Sequence, residues 1–358
     1  MKFPPSQSTK PNGGHDDKSF RYDQDAKAFP SRAELPQIEG TPPGAAWFWG
    51  PEDQIGRLNL LTKERVKAAN AFIKSGTLVS LNLPLDFPAT PAFGREPFKH
   101  EIKTLFPGMS YDDKYNLNTQ SGTQFDGFRH FSHLPSQTFY NGTKGHDIVG
   151  PAANDKCSIH HWADHGIAGR GVLLDYWSYA KDREIEYDPF DHYAISYGEL
   201  VACGKAQGVD IRPECQGGDI WPGDILLVRS GWRAVYDLKT PETRQAAGLR
   251  ENIPGPHDGQ RWAGVSQEAA MVDWLHDCYF SAVAGDSVTF EAWPSLTEDY
   301  YLHEYLLACW GVPNGEMWDL ERLSTICKER GNYFFFVTSS PACCYGGVST
   351  HANAVAIL

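Results

Sequence analysis

The sequence predicts an α/β or α+β protein built on a mixed β-sheet with flanking helices, and three observations carry that prediction. Strand-length apolar runs are interspersed with amphipathic helical segments along the chain. The runs are nearly continuous in Val, Leu, Ile and Ala, as expected of strands covered on both faces. Aromatic residues abound (11 Trp, 16 Tyr, 19 Phe) beside 34 Gly and 24 Pro, a mixture that suits short strands and long ordered loops better than a helix bundle.

Residues 1 to 40 are rich in Pro, Gly, Ser, Lys and Asp and poor in aliphatics. They bury too little to offset the entropy of ordering, so a flexible or surface-wrapping arm is expected there. Dense apolar pattern begins with Ala45, Ala46, Trp47, Phe48 and Trp49. No linker-like shift or repeat follows, so residues 41–358 are expected to form a single domain. Thr62 is placed to cap a helix over 63–75 that ends at Gly76. A strand follows over Gly171–Asp175. Ser196 and Glu199 have capping-box spacing and predict a short helix. Ile225–Val228 reads as the next strand. Behind Ser266, Met271, Trp274, Leu275 and Cys278 recur at helical spacing. Ser281–Ala284 is strand-like, and Leu302, Tyr305, Leu306 and Cys309 repeat the helical pattern up to Gly311 and Pro313. Tyr333–Val337 closes the series as a strand.

Composition narrows the function. The net charge of −13 and the lack of a Lys/Arg cluster oppose a nucleic-acid or anionic-membrane partner, because neutralising phosphates needs concentrated positive charge. No apolar run approaches the roughly 20 residues that span a bilayer, and the N-terminal stretch has no apolar signal-peptide core. A cytoplasmic protein acting on a small molecule is expected. The eight cysteines include no C-x-x-C pair, and Cys343 and Cys344 are neighbours that bridge only with strain, so reduced core thiols are expected.

The informative segment runs from Gln120 to His130. In an extended stretch Gln124 and Asp126 share one face. Asp126 and His130 are four apart and converge if the chain then turns helically. A carboxylate beside an imidazole is the raw material of a metal site or of an acid/base pair. Asp-x-x-x-His also arises by chance, and a surface ion pair or a helix cap is the ordinary alternative.

The segment resembles the motif of the cyclase family, His-x-Gly-Thr-His-x-Asp-x-x-x-His, which includes kynurenine formamidases and isatin hydrolases. It matches through Gly122, Thr123, Asp126 and His130. Similar stretches follow in the same order: Trp49–Thr62, Tyr140–Gly142, Gly169–Asp175, Gly223–Gly231, Ala284–Asp286 and Gly346–Leu358. The resemblance implies a swivelling β/β/α fold and one divalent cation, Mn or Zn. It implies Asp126, His303 and Glu316 as the cation's ligands, with Gln124 completing the coordination, and a homo-oligomer. Read alone, His303 is as readily a core-edge histidine, and Glu316 an ordinary strand-end carboxylate.

One departure matters. Both leading histidines of the motif are glutamines here, Gln120 and Gln124. A carboxamide oxygen is a weak ligand that suits harder cations, so affinity falls; a metal-free site in which the two amides bind substrate is the alternative. Phe125, Arg129, Tyr140 and Asn141 are further candidates for the substrate pocket, with core packing, an ion pair and a turn at Asn141–Gly142 as their plain readings. Asp286 is a candidate support for the site; Trp47, Phe48 and Trp49 are candidate pocket walls. His160 and His161 are expected to be structural. The expected activity is hydrolysis of a carbon–nitrogen bond in an aryl formamide or cyclic amide, with His130 as general base. The alternative is a metal-independent cyclase, dehydratase or isomerase using Asp126 and His130 on a secondary metabolite. A non-catalytic small-molecule-binding protein is a third reading.

Overall fold

A computed structural model of the chain describes residues 22–358 except 254, 296 and 298. Its centre is a nine-stranded mixed sheet. In spatial order the strands are Leu78–Ser80, Ala354–Ile357, Phe334–Ser339, Ile167–Leu174, Ile225–Val228, Ala282–Gly285, Asn314–Glu316, Gln124–Asp126 and Ser349–His351. The four from Ile167–Leu174 to Asn314–Glu316 run parallel, and the pairings outside them are antiparallel.

Alternation along the central strands fills both faces. Val172, Leu174, Leu226, Val228 and Val283 pack with Leu200, Cys203, Met271 and Leu275, from the helices Tyr197–Gln207 and Ala269–Asp277. Leu173, Ile225, Leu227, Ala282 and Ala284 face the other way, against Leu58, Leu61, Leu323 and Cys327. Each Val, Leu, Ile or Met side chain among them contributes about 1.5–3 kcal/mol by leaving water. This double covering is why the strands read as unbroken apolar runs.

The expected helices are present with altered ends. Thr62 caps Lys63–Ala69, accepting from the Arg65 N–H at 3.3 Å, and a 3-10 turn over Asn70–Phe72 completes the segment. The Ser196 helix reaches Gln207, longer than expected, with its capping box formed. After Leu302 the chain widens into a π-helix over Glu304–Cys309. That segment stops at Gly311, whose φ of +63° suits glycine, and where a Cβ would stand 2.5 Å from the Tyr140 ring.

The residues of the expected arm that are described lie against the body. Phe29 stacks on Tyr279 with centroids 4.5 Å apart, and the Tyr279 hydroxyl donates to the Pro30 carbonyl at 2.6 Å. The rest of the arm, residues 1–21, lies outside the described residues. The hairpin Lys99–Phe106/Ser110–Asn116 was not anticipated; it stands out from the body with nearly every residue exposed. All eight cysteines are free, and among the described residues no helix is long and apolar enough to cross a membrane.

Candidate functional site

The site is organised by the short strand Gln124–Asp126, held between Asn314–Glu316 and Ser349–His351. Its three residues are buried. Antiparallel register places Asn314 opposite Asp126 and Glu316 opposite Gln124, so four polar side chains meet on one face. Phe125 points to the other face and packs on Trp318 and Trp162, with centroids 5.1 and 6.2 Å away.

His303 comes from the first turn of the helix that widens into the π-segment. Its Nε2 lies 3.2 Å from Glu316 Oε1 and 3.6 Å from Asp126 Oδ2. Its Nδ1 lies 2.5 Å from Glu291 Oε1. Glu291 is buried and also accepts the backbone N–H groups of Leu302 and His303 and an amide N–H of Gln267. After Asp126 the chain turns, with the His130 N–H donating to the Gly127 carbonyl at 2.9 Å. That turn sets His130 Nε2 4.0 Å from Asp126 Oδ1, too far for a hydrogen bond but close enough for charge to be felt.

Carboxamides fill the spaces between the acids. Gln120 Nε2 donates to Asp126 Oδ1 at 2.6 Å, and Gln124 Nε2 donates to Glu316 Oε2 at 2.8 Å and to Gln120 Oε1 at 2.7 Å. Asn314 Nδ2 donates to Asp126 Oδ2 at 3.0 Å and to Glu316 Oε1 at 3.2 Å. The acyl oxygens of Gln124 and Asn314 are buried and find no donor.

These contacts split the titrations. Burial pushes the Asp126 carboxyl up, but His130, His303 and Gln120 outweigh it and hold Asp126 well below the usual range. Glu316 is raised, first by burial and then by the Asp126 charge. Burial favours neutral His303, yet its close approaches to the Asp126, Glu291 and Glu316 carboxylates prevail and raise it well above the ordinary value. For His130 burial wins over Asp126 and lowers the imidazole below 6.5.

Ligand atoms of Asp126, His303 and Glu316 all lie within 4.8 Å of one another. This set fits one divalent cation. The Nδ1 contact with Glu291 leaves His303 Nε2 facing the two carboxylates, the arrangement in which a supporting acid orients a metal-binding imidazole. The two unpartnered acyl oxygens, on Gln124 and Asn314, are neutral oxygen donors of the kind a hard cation takes.

Beside the cluster is a cavity of about 300 Å³, bordered by His130, His303 and Glu316. Rings of Phe93, Phe131 and Trp293 line it with Arg95, Asn252 and Thr289. None of the six expected substrate contacts lines it. Gln120 and Gln124 spend their amide N–H groups on Asp126 and Glu316. Phe125 is sent into the core by the same alternation that exposes its neighbours. The Arg129 guanidinium is consumed by the carbonyls of Gly346, Asp147 and Asn154. The buried Tyr140 hydroxyl donates to Asp53, and Asn141 Nδ2 holds the carbonyls of Gly50, Pro51 and Asp53. Trp47, Phe48 and Trp49 pack in the body instead of walling the cavity. Asp286 supports a different place, accepting from the Ser230 and Gly231 N–H groups. His160 and His161 are structural, as expected, bonded to Ser158 and to the Asp155 carbonyl. Glu291, Asn314 and Arg95 were missed.

Comparison with known proteins agrees with this picture. A family model named Cyclase, described as "Putative cyclase", matches residues 79–292, well over half of the chain. No curated protein matches the sequence. Among solved structures, a crystal structure of a novel cyclase superposes with a TM-score of 0.72 at 26% identity, covering 88% of this chain and 99% of that one. Isatin hydrolase A from Ralstonia solanacearum gives a TM-score of 0.51 at 16% identity, covering 82% and 97%. An isatin hydrolase bound to the product analogue thioisatinate gives 0.51 at 13%, covering 83% and 98%; at these identities the likeness is one of fold. With the motif lying inside the matched span and the mixed sheet shared, the chain belongs to the Cyclase family.

Proposed function

We propose that the protein hydrolyses a carbon–nitrogen bond in an aryl formamide or cyclic amide. The observation that carries this reading is the placing of His130, an imidazole kept neutral by burial, on the wall of a ring-lined cavity that also exposes Glu316 and His303. Neutral His130 takes a proton from the attacking water as its oxygen bonds to the carbonyl carbon. It returns that proton to the nitrogen as the carbon–nitrogen bond breaks, leaving a carboxylic acid and an amine. Asp126, ionised and 4.0 Å away, stabilises the imidazolium between the two transfers. Phe93, Phe131 and Trp293 exclude water and orient a flat substrate. Asp126, His303 and Glu316 would hold the cation, which when bound polarises the carbonyl and acidifies water. The test is turnover of a panel of aryl formamides and cyclic amides by protein whose Mn and Zn content has been measured. Absence of turnover across the panel with the cation loaded overturns the proposal.

A second reading, metal-independent proton transfer, is favoured by one observation. Gln120, Gln124 and Asn314 already donate to all four oxygens of Asp126 and Glu316. Activity surviving exhaustive chelation selects it.

A further inference from the structure

Four arginines are fully buried and are held by groups of the protein. Arg170 pairs with Asp224 at 2.6 Å, and Arg229 with Asp175 at 2.8 Å. Arg57 donates to the His276 carbonyl at 3.0 Å and lies over the Tyr279 ring, and Arg129 donates to three carbonyls. Arg95 differs. Its Nη1 donates to the Gln120 carbonyl at 2.8 Å and its guanidinium lies 5.0 Å from the centroid of the Phe93 ring. Among the described residues it makes no ion pair, and it borders the cavity of the candidate site. A guanidinium carries five N–H donors in a planar fork, so most of them remain for whatever enters.

The neighbouring carboxylates do not claim this fork. Asp126 and Glu316 take their hydrogen bonds from Gln120, Gln124, Asn314 and the Phe290 N–H. They lower the cost of burying Arg95 at longer range, opposing a burial effect that depresses its pKa. A half-buried cation with open donors, beside apolar rings in a cavity of about 300 Å³, is built to receive a small planar anion joined to a flat apolar body.

We infer that Arg95 determines specificity by binding a carboxylate, so that the substrates are amides whose ring bears a carboxylate group. This rests on the hydrolytic reading for the word amide alone; anion capture by Arg95 can be tested without turnover. The probes are benzoate and benzamide, nearly equal in shape and different in charge, titrated calorimetrically into the full-length protein and into Arg95→Met and Arg95→Lys at pH 7. The wild type is expected to bind benzoate at least about tenfold more tightly than benzamide, the scale of a charge-assisted pair. Arg95→Met should abolish that preference and Arg95→Lys should keep part of it, with thermal unfolding confirming that both variants fold. Equal affinity for the two probes in the wild type, or an undiminished preference in Arg95→Met, would overturn the inference. A merely structural or charge-balancing Arg95 predicts the second of those results. Failure of the amide panel, by contrast, leaves the benzoate preference in place and removes only the hydrolytic reading.

Discussion

His303 and Glu291 meet at 2.5 Å, Nδ1 to Oε1, and the same Glu291 oxygen also accepts the His303 backbone N–H at 3.0 Å. One carboxylate therefore fixes both the ring and the start of the helix that carries it. With the Leu302 N–H and the Gln267 amide, Glu291 takes four donors, and the amide of Glu291→Gln cannot take them all. The substitution should cost about 1–3 kcal/mol of stability. It should also weaken Mn²⁺ uptake roughly 10- to 100-fold, the scale for an outer-shell partner. Denaturant unfolding and a Mn²⁺ titration check the two effects separately.

His130→Ala should lower kcat roughly 10²- to 10⁴-fold, the range of a general base, while the fold and the Mn²⁺ content persist. Turnover near that of the wild type would remove His130 from the mechanism.

The pH profile follows from the same residue. His130 must be neutral to accept a proton, and burial lowers its folded pKa below 6.5. Activity should therefore hold as pH falls to 6.5 and be lost on the acid side of that value. An acid limb of kcat/KM centred above 6.5 would contradict the assignment.

Tyr140 tests the corrected map of the pocket. Its hydroxyl donates to Asp53 at 2.7 Å, away from the cavity. Tyr140→Phe should cost about 1.5–3 kcal/mol of stability, as for a lost bond to a charged acceptor, and leave KM unchanged. A raised KM without loss of stability would return Tyr140 to the substrate.

Asp286 gives a purely structural prediction. Burial lifts its carboxyl to about 6 from an ordinary 3.8, against the opposing Arg229 charge and the Ser230 donors. The folded protein then holds this proton more tightly than the unfolded chain does. The associated stability is present in full below 3.8 and is lost as pH rises through about 6, on the order of 3 kcal/mol. Asp286→Asn should flatten that part of the curve of stability against pH, read by unfolding between pH 4 and 7.

Much of the site was legible, for a reason that also explains the errors. Period-two alternation put Gln124 and Asp126 together, and the structure agrees. Applied one residue further it would have sent Phe125 to the core. Applied to Glu316 it would have found Asn314, two positions back on the same strand. Glu291 left a fainter trace, an acid amid Val288, Phe290, Ala292 and Trp293. Arg129, Tyr140 and Asn141 misled because polar groups beside the motif in sequence satisfy loop carbonyls and the half-buried Asp53 carboxylate in space. The helix Glu321–Arg330 went unread because only Leu323, Ser324 and Cys327 are buried in it. The hairpin has no buried face to give a pattern.

The three-residue strand Gln124–Asp126, clamped on both edges, has a consequence for how the gene can vary. Inserting or deleting a single codon there would rotate Phe125 into the acid cluster and drive Gln124 or Asp126 among Trp162 and Trp318. Point substitutions alter this site one group at a time, whereas a one-codon length change inverts it whole. Viable indels should therefore be absent from this strand and cluster in exposed segments such as the hairpin tip around Gly108.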